Sequence, residues 1–70
     1  MADHQVIGKT GRVTGTVAPD VLGEVMIPIR GGVEAYNALP ADGETMALGS
    51  QVVVIEHLGG RTVAVSPLHP

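Results

Sequence analysis

The sequence predicts an all-β fold, a small barrel of five short antiparallel strands within a single domain. Three observations predict it. Eleven Val and four Ile stand against one Tyr, with no Phe or Trp, and β-branched side chains, stiff at χ1, sit well on a pleated surface. Ten Gly and five Pro supply turn points at close intervals, which suits short strands joined by tight turns. Between those breaks the apolar residues alternate with polar ones, the period-two signature of a half-buried strand.

Each element follows in order. Residues 1–5 are polar and form a flexible N-terminal segment; the barrel domain spans 6–67, and 68–70 is a C-terminal tail. The first strand runs from Val6 to about Val17, with Val13, Gly15 and Val17 alternating with Arg12, Thr14 and Thr16. Its glycines mark bends, and a long bent first strand can serve both sides of a small barrel. Ala18-Pro19-Asp20 is a turn. Strand two, Gly23 to Arg30, alternates Val25, Ile27 and Ile29 with Glu24, Met26 and Pro28. Pro28 lacks an N–H and so belongs at an edge or a bulge.

Gly31-Gly32 is the hairpin loop to strand three, Val33 to about Leu39. Pro40 to Gly43 forms the main loop, and Thr45 to Leu48 has the length of one helical turn, too short to stand alone. Strand four, Gln51 to about Leu58, has an unbroken apolar centre that reads as buried on both faces. Gly59-Gly60 leads into strand five, Arg61 to about Ser66, with Val63 and Val65 inward. Five strands and no convincing helix close most economically as an OB-like barrel. A core of this size supplies about 3–5 kcal/mol net, so core positions will matter for folding whatever the function.

Composition excludes several function classes. Without Cys there is no disulfide framework, zinc finger or thiol nucleophile. A net charge of −3 argues against a nucleic-acid surface, which depends on Lys and Arg. No stretch approaches the about 18 apolar residues of a membrane span, and no signal-peptide core follows the N-terminus.

Candidate chemistry is sparse. His4, His57 and His69 fit no metal-ligand spacing; His4 and His69 lie near the two ends, where an adventitious metal site competes with plain tail histidines. His57 and Glu56 are strand neighbours and face opposite sides, so they form no acid–base pair. The carboxylates are scattered, and Asp42 and Glu44 flank Gly43 in a solvated turn. Gly8-x-x-Gly11 lies inside a strand and precedes no helix, so it marks bends rather than a phosphate loop. No Ser or Thr has a base in evident reach. The sequence therefore points to no catalytic residue, no cofactor and no metal, and to a protein that is not an enzyme.

Binding residues are easier to nominate. Tyr36 is a half-buried ring with its hydroxyl reaching water or backbone, or, if exposed, an interaction hot spot. Met26, opposite Val25 and Ile27, and the apolar edge around Pro28 are further candidates. OB barrels also bind single-stranded nucleic acid through stacked aromatics in a cationic groove. Here Tyr36 with Lys9, Arg12 and Arg30 would have to serve, so this is the runner-up, and nucleic acid is not the expected partner.

The motifs Ile7-Gly8-Lys9-Thr10-Gly11-Arg12-Val13, Gly23-Glu24-Val25, Tyr36-Asn37-Ala38, Gly49-Ser50-Gln51-Val52-Val53-Val54-Ile55-Glu56 and Val63-Ala64-Val65-Ser66-Pro67 together resemble the C-terminal soluble domain of NfeD-like membrane proteins. The resemblance covers residues 6–67. Tyr36 stands where the family more often has Trp. The resemblance implies an OB-fold domain that follows transmembrane helices absent from this sequence. It carries no catalytic residues, works at the cytoplasmic face of the membrane, and partners flotillin/stomatin-type scaffolds or membrane proteases. The expected function is thus a non-catalytic protein-interaction module, with Tyr36, Met26, Arg12 and Arg30 as its interaction residues and oligomeric state left open.

Overall fold

The computed structural model describes residues 6–68. Its strands are β1 (Thr10–Gly15), β2 (Gly23–Ile29), β3 (Gly32–Pro40), β4 (Gln51–Gly59) and β5 (Thr62–Pro67). They close into a barrel in the order β1-β2-β3-β5-β4, with β4 returning to β1. The five-stranded all-β barrel expected from the sequence is thus the observed fold.

Four pairs are antiparallel, but β3 and β5 run parallel, from Asn37↔Thr62 to Pro40↔Val65. The reason is arithmetic. A ring with an odd number of strands cannot alternate direction all the way round. Hairpins make sequence neighbours antiparallel, so the parallel pair falls where two non-consecutive strands meet.

β1 is shorter than its alternation suggests, but it does serve two neighbours. Thr10 to Arg12 pair with β4, and Arg12 to Gly15 pair with β2 across a bulge between Val13 and Gly15. Val6 belongs instead to a turn in which the Lys9 amide donates to the Val6 carbonyl at 3.1 Å. Val17 makes an isolated bridge to Met46, with reciprocal bonds of 3.1 and 2.7 Å. That bridge holds Met46 extended, and Ala47 to Ser50 form a turn closed by the Ser50 amide on the Ala47 carbonyl at 3.1 Å, so the single helical turn over Thr45 to Leu48 does not form. Residues 1–5, with His4 and the flexible segment expected there, lie outside the described residues, as do His69 and Pro70.

The core is a valine core. Ile27 and Val25 from β2 meet Val13, Val52, Val54, Val63 and Val65 from the other strands. Val6, Val17 and Met46 add apolar side chains from the connecting segments. Each inward row comes from one parity of its strand, as the pleat requires. Among the described residues no buried side-chain nitrogen or oxygen lacks a hydrogen-bond partner. Gly23 is required by close approach, since a Cβ there would stand 2.5 Å from the Thr16 carbonyl oxygen.

Three expectations are corrected in detail. β4 is not buried on both faces. Val52 and Val54 are buried, while Val53 and Ile55, of the opposite parity, are half-buried and exposed respectively, and a bulge follows between Val54 and Glu56. A single-layer barrel has nothing to cover its outer face. Both hairpin loops also shift by one residue. Ile29 pairs with Gly32, leaving Arg30-Gly31 as the loop, and Gly59 pairs with Thr62, leaving Gly60-Arg61. In the first loop Gly31 has φ 80°, the positive value needed at the second central residue of a type II turn.

Candidate functional site

The outward faces of β1 and β2 form the site. Alternation on β1 turns Val13 inward and Arg12 and Thr14 outward; on β2 it turns Val25 and Ile27 inward and Pro28 outward, with Met26 half-buried on the same side. Arg12↔Met26 is the last pair the two strands share. Beyond it β1 follows β4, through Thr10↔Val53, while β2 follows β3, through Pro28↔Val33. The strands diverge, and a groove of about 330 Å³ opens between them.

Thr10 and Arg12 line one wall, and Met26, Pro28 and Val33 the other. Gly11 sits at the root of the divergence, where a Cβ would stand 2.6 Å from the Met26 carbonyl oxygen. Only glycine lets β1 cross β2 this closely before leaving it. The groove continues into a second depression beside Gly8 and Lys9, which shares Thr10 and Pro28 with the first. Pro28 lies where β2 has lost β1 as a ladder partner, a position that tolerates a residue without an N–H.

The electrostatics are one-sided. Arg12, an exposed residue, donates from Nη1 to the Gly49 carbonyl at 3.1 Å, one of the five N–H groups a guanidinium carries. Lys9 and Arg30 are exposed, Arg30 in the β2–β3 turn. Among the described residues none of these three cations has a carboxylate within ion-pair distance; the ion pair present is Arg61–Glu34. Glu24, at the far end of β2, is held by the Thr14 hydroxyl, which donates to its Oε1 at 2.7 Å.

The four nominated residues divide. Arg12 and Met26 come together as cross-strand partners in the groove. Arg30 sits at the hairpin tip. Tyr36 is not half-buried but 2% exposed, a member of the core. The Arg61 guanidinium stacks over its ring at 5.0 Å from the centroid. It also donates to the Ala35 carbonyl from Nε and Nη2, at 3.3 and 3.1 Å, and to Glu34 Oε1 at 3.0 Å. The correction has a physical cause. Beside a core made of valines, the single aromatic ring is the largest apolar volume available, and burial takes it.

The groove also contains residues that the sequence did not single out: Thr10, Thr14, Val33 and Gln51. The outward parity of Thr14 was legible in β1. That Val33 and Gln51 join it depends on strand pairing, which no local pattern reports. Elsewhere, His57 donates from Nε2 to the Gly60 carbonyl at 3.0 Å and closes its own hairpin. Asp42 accepts a long 3.5 Å bond from Ser66 in an exposed loop.

Comparisons with known proteins agree with this architecture. The family model described as the NfeD C-terminal domain matches residues 10–66. No curated protein gives a significant match. Among solved structures, the soluble domain of the NfeD protein YuaF from Bacillus subtilis is 28% identical with a TM-score of 0.83, covering 97% of this chain and 80% of that one. The C-terminal domain of stomatin operon partner protein 1510-C from Pyrococcus horikoshii is 26% identical with a TM-score of 0.71, covering 100% and 98% respectively.

Proposed function

Because the chain belongs to the NfeD C-terminal domain family, we propose that it is a non-catalytic docking module. In this reading it serves an NfeD-like membrane protein at the cytoplasmic face of the membrane. Its partner is a stomatin- or flotillin-type scaffold, or a protease that works beside one. The name of the Pyrococcus horikoshii relative, a stomatin operon partner, supports the class of partner. Among the described residues no helix is long and apolar enough to cross a membrane, so in this reading any anchor lies outside them.

The observation that carries the reading is the groove. The closed ring pairs its strands except where β1 and β2 part, and there Pro28 lacks an N–H donor, which favours a face over a strand edge for docking. On the β1–β2 face an exposed cation, Arg12, sits directly across from an apolar side chain, Met26. Arginine and methionine are both enriched at protein interfaces. A single-strand nucleic-acid reading is favoured by the same cations, Lys9, Arg12 and Arg30. It lacks a stacking platform, because Tyr36 is in the core.

The test is retention of a purified stomatin-type scaffold on the immobilised domain. The wild type is expected to retain it, and the double variant Arg12→Glu, Met26→Asp to lose it while keeping a dispersed amide spectrum. Failure of the wild type to retain any such scaffold would remove the docking reading. Retention by the folded double variant would move docking off this face.

A further inference from the structure

The groove also constrains what kind of segment it receives. It is open and strand-shaped, the space left where one β-strand parts from its neighbour. Its volume of about 330 Å³ lies at the low end of the range for small-ligand sites, about 300–1,000 Å³. Among the described residues no polar side chain is buried there to orient a compact cofactor. Pro28 denies an incoming strand one of the N–H donors that ladder pairing needs. Recognition here therefore rests on side chains more than on strand addition.

Those side chains are sorted by wall. Met26, Pro28 and Val33 make one wall apolar, while Arg12, with Lys9 farther along, makes the opposite rim cationic. An extended segment sends successive side chains to opposite sides. A segment alternating aliphatic and acidic residues would therefore place its aliphatic side chains on the Met26–Pro28–Val33 wall and its carboxylates on Arg12 and Lys9. Charge complementarity supports this. The protein carries a net charge of −3, yet Arg12 lines this groove and Lys9 its extension, neither with a carboxylate partner among the described residues. We infer that the β1–β2 groove binds an extended, acidic-aliphatic peptide segment of the docking partner, an inference that rests on the docking function proposed above. Arg12 supplies a charge-assisted bond, and Met26 supplies the apolar contact.

The experiment is an amide-shift titration of the isotope-labelled protein with three probes. These are a seven-residue peptide alternating Glu with Val, the same peptide with Lys for Glu, and a fifteen-nucleotide oligothymidine. The acidic peptide is expected to move the amides of Gly11, Arg12, Met26 and Val33, with the Lys peptide at least about tenfold weaker. Arg12→Gln should weaken the acidic peptide by about tenfold, the scale of one lost charge-assisted hydrogen bond. Met26→Ala should weaken it less, and Leu58→Ser on β4 should leave it unchanged. Equal binding of the Lys peptide, shifts that avoid the groove, or an Arg12→Gln variant with full affinity would each overturn the inference. A silent acidic peptide with a scaffold still retained overturns it alone and leaves docking intact. Shifts from oligothymidine with neither peptide bound overturn both.

Discussion

Two arginines on opposite parts of this barrel show how the same side chain can be closed or open to a partner. Arg61 spends its guanidinium inside the molecule, on the Ala35 carbonyl, the Glu34 carboxylate and the Tyr36 ring. It covers β3 upstream of Asn37, where β5 has not yet begun to pair. Among the described residues Arg12 makes one side-chain bond, to the Gly49 carbonyl, and it lines a groove. Exposure alone would not separate them, since both are exposed. The inventory of donors does. A guanidinium has five N–H groups, and a residue that has used most of them on its own chain is structural.

Four substitutions sharpen or break this contrast, taken from the largest effect downward. Ile27→Ala removes the largest fully buried side chain and should cost about 2–5 kcal/mol. That is comparable to the whole stability of so small a domain, so amide dispersion should collapse. A folded Ile27→Ala protein would mean the barrel owes less to its core than its burial implies. Gly23→Ala drives a Cβ to within 2.7 Å of two backbone oxygens and the Val17 side chain. It should cost about 1–3 kcal/mol, read as a lowered urea midpoint at unchanged slope.

Arg61→Ala should cost about 1 kcal/mol. Its ion pair is exposed, with side-chain exposures of 59% and 48%, and such pairs are worth at most about 1 kcal/mol. The ring contact adds about 0.5–1 kcal/mol at an exposed site. The same variant should raise the fluorescence quenching of Tyr36 by an added solute, as its cover is lost. Arg12→Ala should change the urea midpoint least, by under about 0.5 kcal/mol, because little of the fold rests on it. If Arg12→Ala destabilises as much as Arg61→Ala, Arg12 is a structural residue and the contrast fails.

Much of the fold was legible. The parity of β2, with Val25 and Ile27 inward and Met26 and Pro28 outward, follows from alternation and is what the structure shows. The dual service of β1 followed from its glycines, and Gly11 lies at the point where the strand leaves β2, with no room for a Cβ. The errors share a cause. The hairpin loops slipped by one residue because a Gly-Gly pair says where a turn lies but not which two residues close it. Ile55 was misplaced because an unbroken apolar run does not show whether a second layer covers its outer face. Tyr36 was misplaced because amphipathic rings are read as surface residues unless the volume to be filled is known.

The site was half legible for the same reason. Arg12 and Met26 could be nominated from charge and parity, each on its own strand. Their meeting, the divergence that opens a groove beside them, and the inclusion of Val33 and Gln51 depend on register between strands. Local pattern by itself determined the strands, their inward faces and the turn points, because these follow from side-chain parity and backbone freedom within a few residues. Tertiary structure alone decided the parallel β3–β5 pair, the buried place of Tyr36 under Arg61 and the groove. Each of these depends on how strands distant in sequence close a ring, a geometric condition that no single stretch of the chain contains.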